Sequence, residues 1–488
     1  MVLHWAKPQP GIVVLLALAL SSPARGAEAP PPPPAPAPPD PPPMPARVPL
    51  RAEPGAATEP AHKGLDPITP PKIKLPEASE THPPPPATPE SDVDYTTRRY
   101  EPAGFPLLGG DSDIGFQFGG VATLSHFADG IRPYAWNMDF VASASLKDGP
   151  RGVQLVQESF LYNADLPGYM DGKLRINFQT QYQRTINMGY FGLGNAATGT
   201  VPANFTGPSG RYFEFIDAVA NPYLQPRYSL SGPAGPWFIT GALGYRFMDP
   251  TAYADSKLAR DSETKNPDGS PVIRGVQPLS ITQLALGTVY DSRDNEIFVH
   301  KGAYGQLGVA YQQAFPTSAS VQYGEAQALL QVYRPLGPFV LAMRGVADFQ
   351  FGHVPFYDLF MSGPFGQSEA IGGGSGVRGV PVGRYSGEIK LYGTVELRSM
   401  FLKFHLLKQK VTIGADALFD TGRSWLNYTF DSPLDGHGIG LKYGVGGGIY
   451  VLWGQAAIFR IDAAYSPDAA AENPSFPIGL YVADGVMF

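Results

Sequence analysis

From about Gly115 to the end of this 488-residue chain, apolar and polar positions alternate with period two in segments of roughly ten residues. In Lys301 to Gln313, Leu307, Val309 and Tyr311 share one phase, and Gln306, Gly308, Ala310 and Gln312 the other. In Glu388 to Phe401 the apolar phase is Ile389, Leu391, Val395, Leu397 and Phe401, set against Glu388, Lys390, Tyr392, Thr394, Glu396 and Arg398. Val411 to Asp420 opposes Val411, Ile413, Ala415, Ala417 and Phe419 to Asp416 and Asp420, and Ala457 to Tyr465 opposes Phe459, Ile461 and Tyr465 to Arg460 and Asp462. Side chains alternate faces along a strand, so each segment has one apolar face and one face that carries ions. A soluble two-sheet core seldom tolerates so many ionisable residues in one strand. A closed barrel does, because its outer face meets lipid, its lumen is wet and closure pairs every backbone group. The pattern therefore predicts an all-β, transmembrane antiparallel β-barrel over residues 105–488. A soluble β-sandwich or propeller is the competing architecture.

About fifteen such segments can be counted between Gly115 and Phe488, and bacterial single-chain barrels usually have an even number of strands. Sixteen strands are expected, the missing one before Tyr212, where the alternation blurs; fourteen is the alternative. Aromatic residues such as Tyr311, Trp453 and Tyr465 near strand ends suit the aromatic girdles of a membrane barrel. The last segment ends in Phe488 and shares one phase among Leu480, Val482, Val486 and Phe488, a phase that Asp484 breaks.

Composition changes the picture at the N-terminal side. Lys7, the apolar run Gly11 to Leu20 and the small-x-small triplet Ala24-Arg25-Gly26 predict a secretory signal peptide over 1–26. Residues 27–104 are rich in proline, with runs at Pro30 to Pro34 and Pro83 to Pro86 and few aromatics. Such a stretch buries too little apolar surface to offset its ordering entropy, so a disordered tether is expected. At ~3.1 Å per residue it could reach on the order of 200 Å. A solvated linker is its simplest role; a cell-wall or periplasmic partner is the alternative.

Past the N-terminus no segment approaches the eighteen consecutive apolar residues of a membrane helix. The formal charge is -7, and loss of Lys7 and Arg25 with a cleaved leader moves it to -9, which argues against nucleic acid as a partner. The absence of cysteine removes disulfides, thiol catalysis and Cys-ligated zinc, and the eight histidines show no ligand-pair spacing. No metal or cofactor is expected.

One stretch carries a denser motif. Between two strands lies a long loop, Pro355 to Tyr385, containing Ile371-Gly-Gly-Gly-Ser-Gly-Val-Arg-Gly-Val-Pro-Val-Gly-Arg-Tyr385. Gly374, Gly376 and Gly379 match a G-x-G-x-x-G spacing, but Pro381 and a charged strand follow where a dinucleotide fold needs a helix. Ser375 fails as a nucleophile elbow, because Val377 stands where glycine is required. With no Ser/His/Asp constellation, metal site or phosphate loop, an enzyme is not expected.

Val377-Arg378-Gly379, followed by Glu396-Leu397-Arg398 and Phe419-Asp420-Thr421-Gly422, resembles the bacterial surface-antigen superfamily of sixteen-stranded outer-membrane barrels, the family of the BamA/TamA insertases. Tyr290-Asp-Ser-Arg-Asp-Asn295 and Tyr190-Phe-Gly-Leu-Gly-Asn195 are weaker points of likeness. The resemblance covers roughly Phe105 to Phe488. It implies that the long loop folds back into the lumen, with Arg378 contacting Glu396 and Asp420; alternation independently puts both carboxylates on the lumen face. On residues alone Arg378 reads more simply as a solvated loop arginine. Gly376 and Gly379 would let the loop turn tightly, and Val377, Arg384 and Tyr385 complete the motif. Val380 stands where the family usually has an aromatic residue, which weakens any packing role there. Asp291, Arg293 and Asp294 are expected to form a hydrogen-bonded turn, and Gly422 and Phe488 complete the set of likenesses.

The family's periplasmic POTRA modules have no counterpart in the proline-rich stretch, so the chain resembles a POTRA-less member. By that resemblance it would help insert or translocate proteins or lipids at the outer membrane of a Gram-negative bacterium, with outer-membrane lipids and unfolded outer-membrane proteins or lipids as partners. The alternative is a passive pore or structural protein with a loop-plugged lumen. Fold-level likeness alone does not choose between them.

Overall fold

The computed structural model describes residues 97–484, apart from 132–133, 150–151, 208–210, 233–234, 295–297, 407–408, 454–456 and 469–476. The expected signal peptide, the tether up to residue 96 and Phe488 lie outside the described residues. The rest is a closed barrel of sixteen antiparallel strands. In order these are β1 (Arg99–Asp111), β2 (Gly115–Phe127), β3 (Trp136–Gly149), β4 (Gly152–Gly168), β5 (Leu174–Gly189), β6 (Glu214–Ser229), β7 (Trp237–Met248) and β8 (Leu279–Asp291). The second half runs β9 (Gly302–Phe315), β10 (Gln322–Leu336), β11 (Phe339–His353), β12 (Ile389–Leu406), β13 (Gln409–Trp425), β14 (Lys442–Trp453), β15 (Ala457–Tyr465) and β16 (Ile478–Asp484). Each strand pairs with its neighbours in the chain, and β1 closes the ring against β16.

β1 opens at Arg99, so residues 99–104 belong to the barrel and not to the proline-rich segment expected to run through 104. It is also the strand that alternation hides, because Pro102, Gly104, Pro106, Gly109 and Gly110 interrupt its apolar phase. Proline lacks the N–H that a sheet ladder needs and is tolerated on an edge. β1 supplies one. It pairs with β2 along all thirteen residues, but among the described residues it meets β16 only at Gly110 opposite Val482 and Asp111 opposite Tyr481. Pro222 and Pro226 act similarly inside β6: the β6–β7 ladder passes through Ala220, Tyr223, Leu224 and Arg227 and skips both prolines.

The outer face is apolar, with Leu284, Leu307, Leu243 and Phe160 exposed, while Glu396, Asp420 and Asp462 of the opposite phase are wholly buried inside. Ile389 and Val411 fall on the outward phase yet are buried, each standing opposite a bulky aromatic on the adjacent strand, Trp425 and Phe404. Connections at one end are mostly short. At the other end four are long, at 190–213, 249–278, 354–388 and 426–441. They close over the barrel: Tyr190, Leu258 and Phe356 from three of them form one apolar cluster with Phe215, Met248 and Ile281 from the strands. Leu258 is presented by a short helix, α1 (Lys257–Glu263), whose first turn is capped by Ser256 Oγ accepting the Ala259 N–H at 3.2 Å.

Candidate functional site

The 354–388 connection turns inward. Ala370, Ile371, Val377 and Val380 are buried against Val346 of β11 and Tyr392 of β12. Val380, for which the missing aromatic ring suggested little packing, is completely enclosed; the space available suits a small branched side chain. Two glycines allow the close approach. A Cβ on Gly376 would overlap the carbonyl oxygens of Ala370 and Gly372, and Gly379 has φ +88° with Ala464 and Ser466 pressed against it.

Arg378, between them, is fully buried. Its Nε and one terminal nitrogen donate to the two oxygens of Asp420 at 2.7 and 3.1 Å, and its backbone N–H donates to the same carboxylate at 3.1 Å. The guanidinium also donates to Glu396 at 2.6 Å and to Asp462 at 2.7 Å. The three acids come from β12, β13 and β15, so one planar fork ties three strands. Two further cations complete the balance: Arg398 binds the second oxygen of Glu396 at 2.7 Å, and Arg460 lies 3.2 Å from Asp462. Three carboxylates thus face three guanidinia, which is how buried charge becomes tolerable. Strand glycines make room for the loop. A Cβ on Gly444 of β14 would overlap the Arg378 carbonyl oxygen, and one on Gly422 of β13 would strike Ile371 and Tyr392.

The motif also reaches the closing seam. The Gly379 N–H donates to the Tyr481 hydroxyl at 2.8 Å, and Tyr481 of β16 stands opposite Asp111 of β1. Arg384 lies over the Phe191 ring at 4.8 Å, and Tyr385 donates to Asp468 at 2.6 Å with Lys442 over its ring. The Tyr190 to Asn195 segment packs on the same loops: Gly194 N–H donates to Ser386 Oγ at 3.3 Å and Asn195 donates to the Gly440 carbonyl at 2.8 Å. Asp291, Arg293 and Asp294 are elsewhere, in the 292–301 turn and the end of β8 that leads into it. Arg293 donates to both oxygens of Asp291 at 2.9 and 2.8 Å, and Asp294 accepts the N–H groups of His300 and Lys301.

Alternation placed Asp462 on the lumen face but could not pair it with Arg378, because their separation of 84 residues leaves no local signal. A second anchor went unseen for the same reason. Asp358, at the start of the loop, receives two bonds from Arg246 of β7 at 2.7 and 2.5 Å and one from the Tyr323 hydroxyl. Lys390 pairs with Asp348 at 2.9 Å and donates to the Met361 carbonyl, while Glu325 accepts the Gly363 N–H at 2.9 Å. Outside the strands, burial pushes the Glu388 carboxyl up to about 7, against the pull of Lys390 and Arg274.

The Omp85 superfamily domain model matches residues 250–479, a span that contains the inward loop, Arg378 and its three carboxylates. That span is similar to an Omp85 superfamily domain. Barrels of the Omp85 superfamily are outer-membrane proteins that handle protein or lipid substrates. Among solved structures, the fold is similar to BamA from Haemophilus ducreyi lacking POTRA domains 1-3, at 13% identity and TM-score 0.46, covering 80% of this chain and 70% of that one. It is also similar to CdiB from Escherichia coli, at 14% identity and TM-score 0.48, covering 79% of this chain and 62% of CdiB. No curated protein sequence matches the chain.

Proposed function

We propose that this outer-membrane barrel assists the insertion or translocation of protein or lipid, with the 354–388 loop locked in the lumen by Arg378. The observation that carries it is the junction at Tyr481, which joins the locked loop to the last strand where that strand meets β1. Among the described residues the seam is paired at two positions, and a seam that opened would present a strand edge, a template for a further strand. Holding the loop against β16 would keep the seam closed or poised, and releasing it would open the lumen and the wall together. The role is not enzymatic. Residues 1–26 would direct export, and the proline-rich segment would serve as a solvated linker, with a cell-wall or periplasmic partner as the alternative.

Depletion of the protein, followed by an inventory of outer-membrane proteins and lipids, tests this. Loss of a defined set of either supports an assembly or translocation role, and unchanged inventories sink it. The second reading, a loop-plugged passive pore, is favoured by the packing of Ile371, Val377 and Val380 of the loop against Val346 and Tyr392 of the barrel wall. Planar-bilayer recording separates the two: a steady, ion-selective conductance with the loop intact marks a pore, whereas small, erratic currents that enlarge on Arg378→Ala mark a locked barrel.

A further inference from the structure

The inner wall of β5 is chemically unlike the wall around Arg378. After Arg175, which pairs with Asp165, its inward phase reads Asn177, Gln179, Gln181, Gln183, Thr185 and Asn187, six neutral hydrogen-bonding groups in succession. Gln179, Gln181 and Gln183 form one side of a lumen cavity of about 360 Å³. Asn221 and Gln225 of β6, Gln283 of β8 and Gln312 of β9 form the other sides, with the rings of Tyr223, Tyr357 and Phe365 between them. The cation on this wall, Arg246, is engaged by Asp358, so it is not available to an anion.

The hydrogen-bond inventory of the wall is incomplete in a specific way. Among the described residues, Asp217 and Tyr357, both more than nine-tenths buried, each have a side-chain oxygen with no partner, and so do Asn221 and Tyr223. Two of these four oxygens can only accept and two are phenols that both donate and accept. An anion would satisfy neither acceptor. A molecule dense in hydroxyls satisfies all four, and the surrounding amides offer it both donors and acceptors. At about 30 Å³ per water the cavity holds roughly a dozen waters, and it lies within the usual range of small-ligand sites. It shares Gln183, Met188, Glu369 and Val382 with a neighbouring cavity of about 460 Å³, so the path continues beyond one ring-sized unit.

We infer that this amide-lined cavity between β5, β6 and the inward loop binds a neutral, hydroxyl-rich solute, a short oligosaccharide by chemical class. The aromatic faces take the C–H side of a sugar ring, and the amides and orphaned oxygens take its hydroxyls. Arg378 and its acids do not line the site, although Tyr357 and Phe365 of the locked loop do.

The test is calorimetric titration of the full-length barrel, in a detergent without sugar, with maltotriose, cellotriose and tri-N-acetylchitotriose, and with trigalacturonate as a charged control. At least one neutral trisaccharide is expected to bind with Kd on the order of 1 mM or tighter, and trigalacturonate at least tenfold more weakly. Gln181→Leu combined with Asn221→Leu should weaken that binding at least tenfold. Tyr223→Phe, which keeps the ring and removes one hydroxyl, should weaken it severalfold and serves if the double variant does not fold. Absence of binding by all three neutral sugars at 10 mM overturns the inference, leaving the cavity as a water-filled part of the lumen. Equal binding by the charged control, or no loss in Tyr223→Phe, overturns it too. Tyr223→Phe, on β6 and outside the lock, should leave the 354–388 loop protease-resistant while weakening the sugar, so failure of the lock proposal and of this one can be told apart.

Discussion

Two sectors of one inner wall use polarity differently. From β12 to β15 the lumen face carries Glu396, Arg398, Asp420, Arg460 and Asp462, and every one of these heads is directed at Arg378 or at its partners. From β2 to β5 the lumen face is mostly amide and hydroxyl: Thr123 and Ser125 donate to Asn137, Asn177 donates to Asn163, and Gln157 donates to Thr185. Neutral groups can satisfy one another loosely and exchange partners at little cost. Buried ions cannot, because each unpaired charge leaves a large desolvation penalty standing. The charged sector therefore has one arrangement of low energy, with the loop in place, whereas the amide sector has many and leaves the lumen beside it open. The difference separates a wall that holds from a wall that can accept.

Removing the keystone is the most severe way to break the contrast. Arg378→Ala leaves Glu396, Asp420 and Asp462 facing one another without the guanidinium that joins all three. Breaking a buried pair costs roughly 3–5 kcal/mol, so the urea midpoint should fall by that equivalent, or the loop should leave the lumen and become protease-sensitive at 354–388. Arg378→Lys should recover little, since a single ammonium cannot serve three carboxylates in a fork geometry. An unchanged midpoint and an uncut loop in both variants would falsify the lock. Gly444→Ala reaches the same point from the backbone side. Its methyl group would occupy the position of the Arg378 carbonyl oxygen, so the loop must retreat without any charge being altered. A cost of about 1–3 kcal/mol is expected from such overpacking, and a midpoint equal to the parent's would mean that the loop has slack.

Much of the charged sector was legible in the sequence, since alternation put Glu396, Asp420 and Asp462 on one face and the Val377-Arg378-Gly379 resemblance supplied the arginine. About fifteen strands were countable for the same reason, and the even number usual in bacterial barrels raised the expectation to sixteen. β1 was harder to see because its prolines and glycines erase the period that marks the others. What alternation cannot supply is distance across the barrel. Asp462 and Arg378, or Asp358 and Arg246, are separated by 84 and 112 residues and meet only after closure. Gly444 carried no signal at all, since a glycine within Tyr443 to Gly448 looks like strand filler until the loop is in place.

The loop's other end gives a milder test, because it stands over the amide sector. Asp358→Asn keeps the shape and removes the charge that answers Arg246, which then retains the side chains of Tyr323, Gln312 and Gln367 as neighbours. Loss of a charge-assisted bond is worth about 2 kcal/mol. If the two anchors are independent, the Arg378→Ala and Asp358→Asn losses add within about 0.5 kcal/mol; if the loop moves as one body, the second loss shrinks. Denaturation midpoints of the two single variants and the double variant decide between these.

The smallest expected effect is a pH dependence at the joint between loop and charged wall. Burial lifts the Glu388 carboxyl from 4.5 to about 7, with Lys390 and Arg274 working the other way. A carboxyl whose folded value is raised binds its proton more tightly in the folded state. Its contribution to stability is thus complete below about 4.5 and is lost as pH rises through about 7. Glu388 is only partly enclosed, so solvent screening reduces the size of the effect. Thermal midpoints of the wild-type barrel should fall modestly between pH 5 and pH 8, and Glu388→Gln should flatten that slope while leaving the pH 5 value close to the parent's. A slope that survives the substitution would place the titration elsewhere on the charged wall and remove Glu388 from the joint.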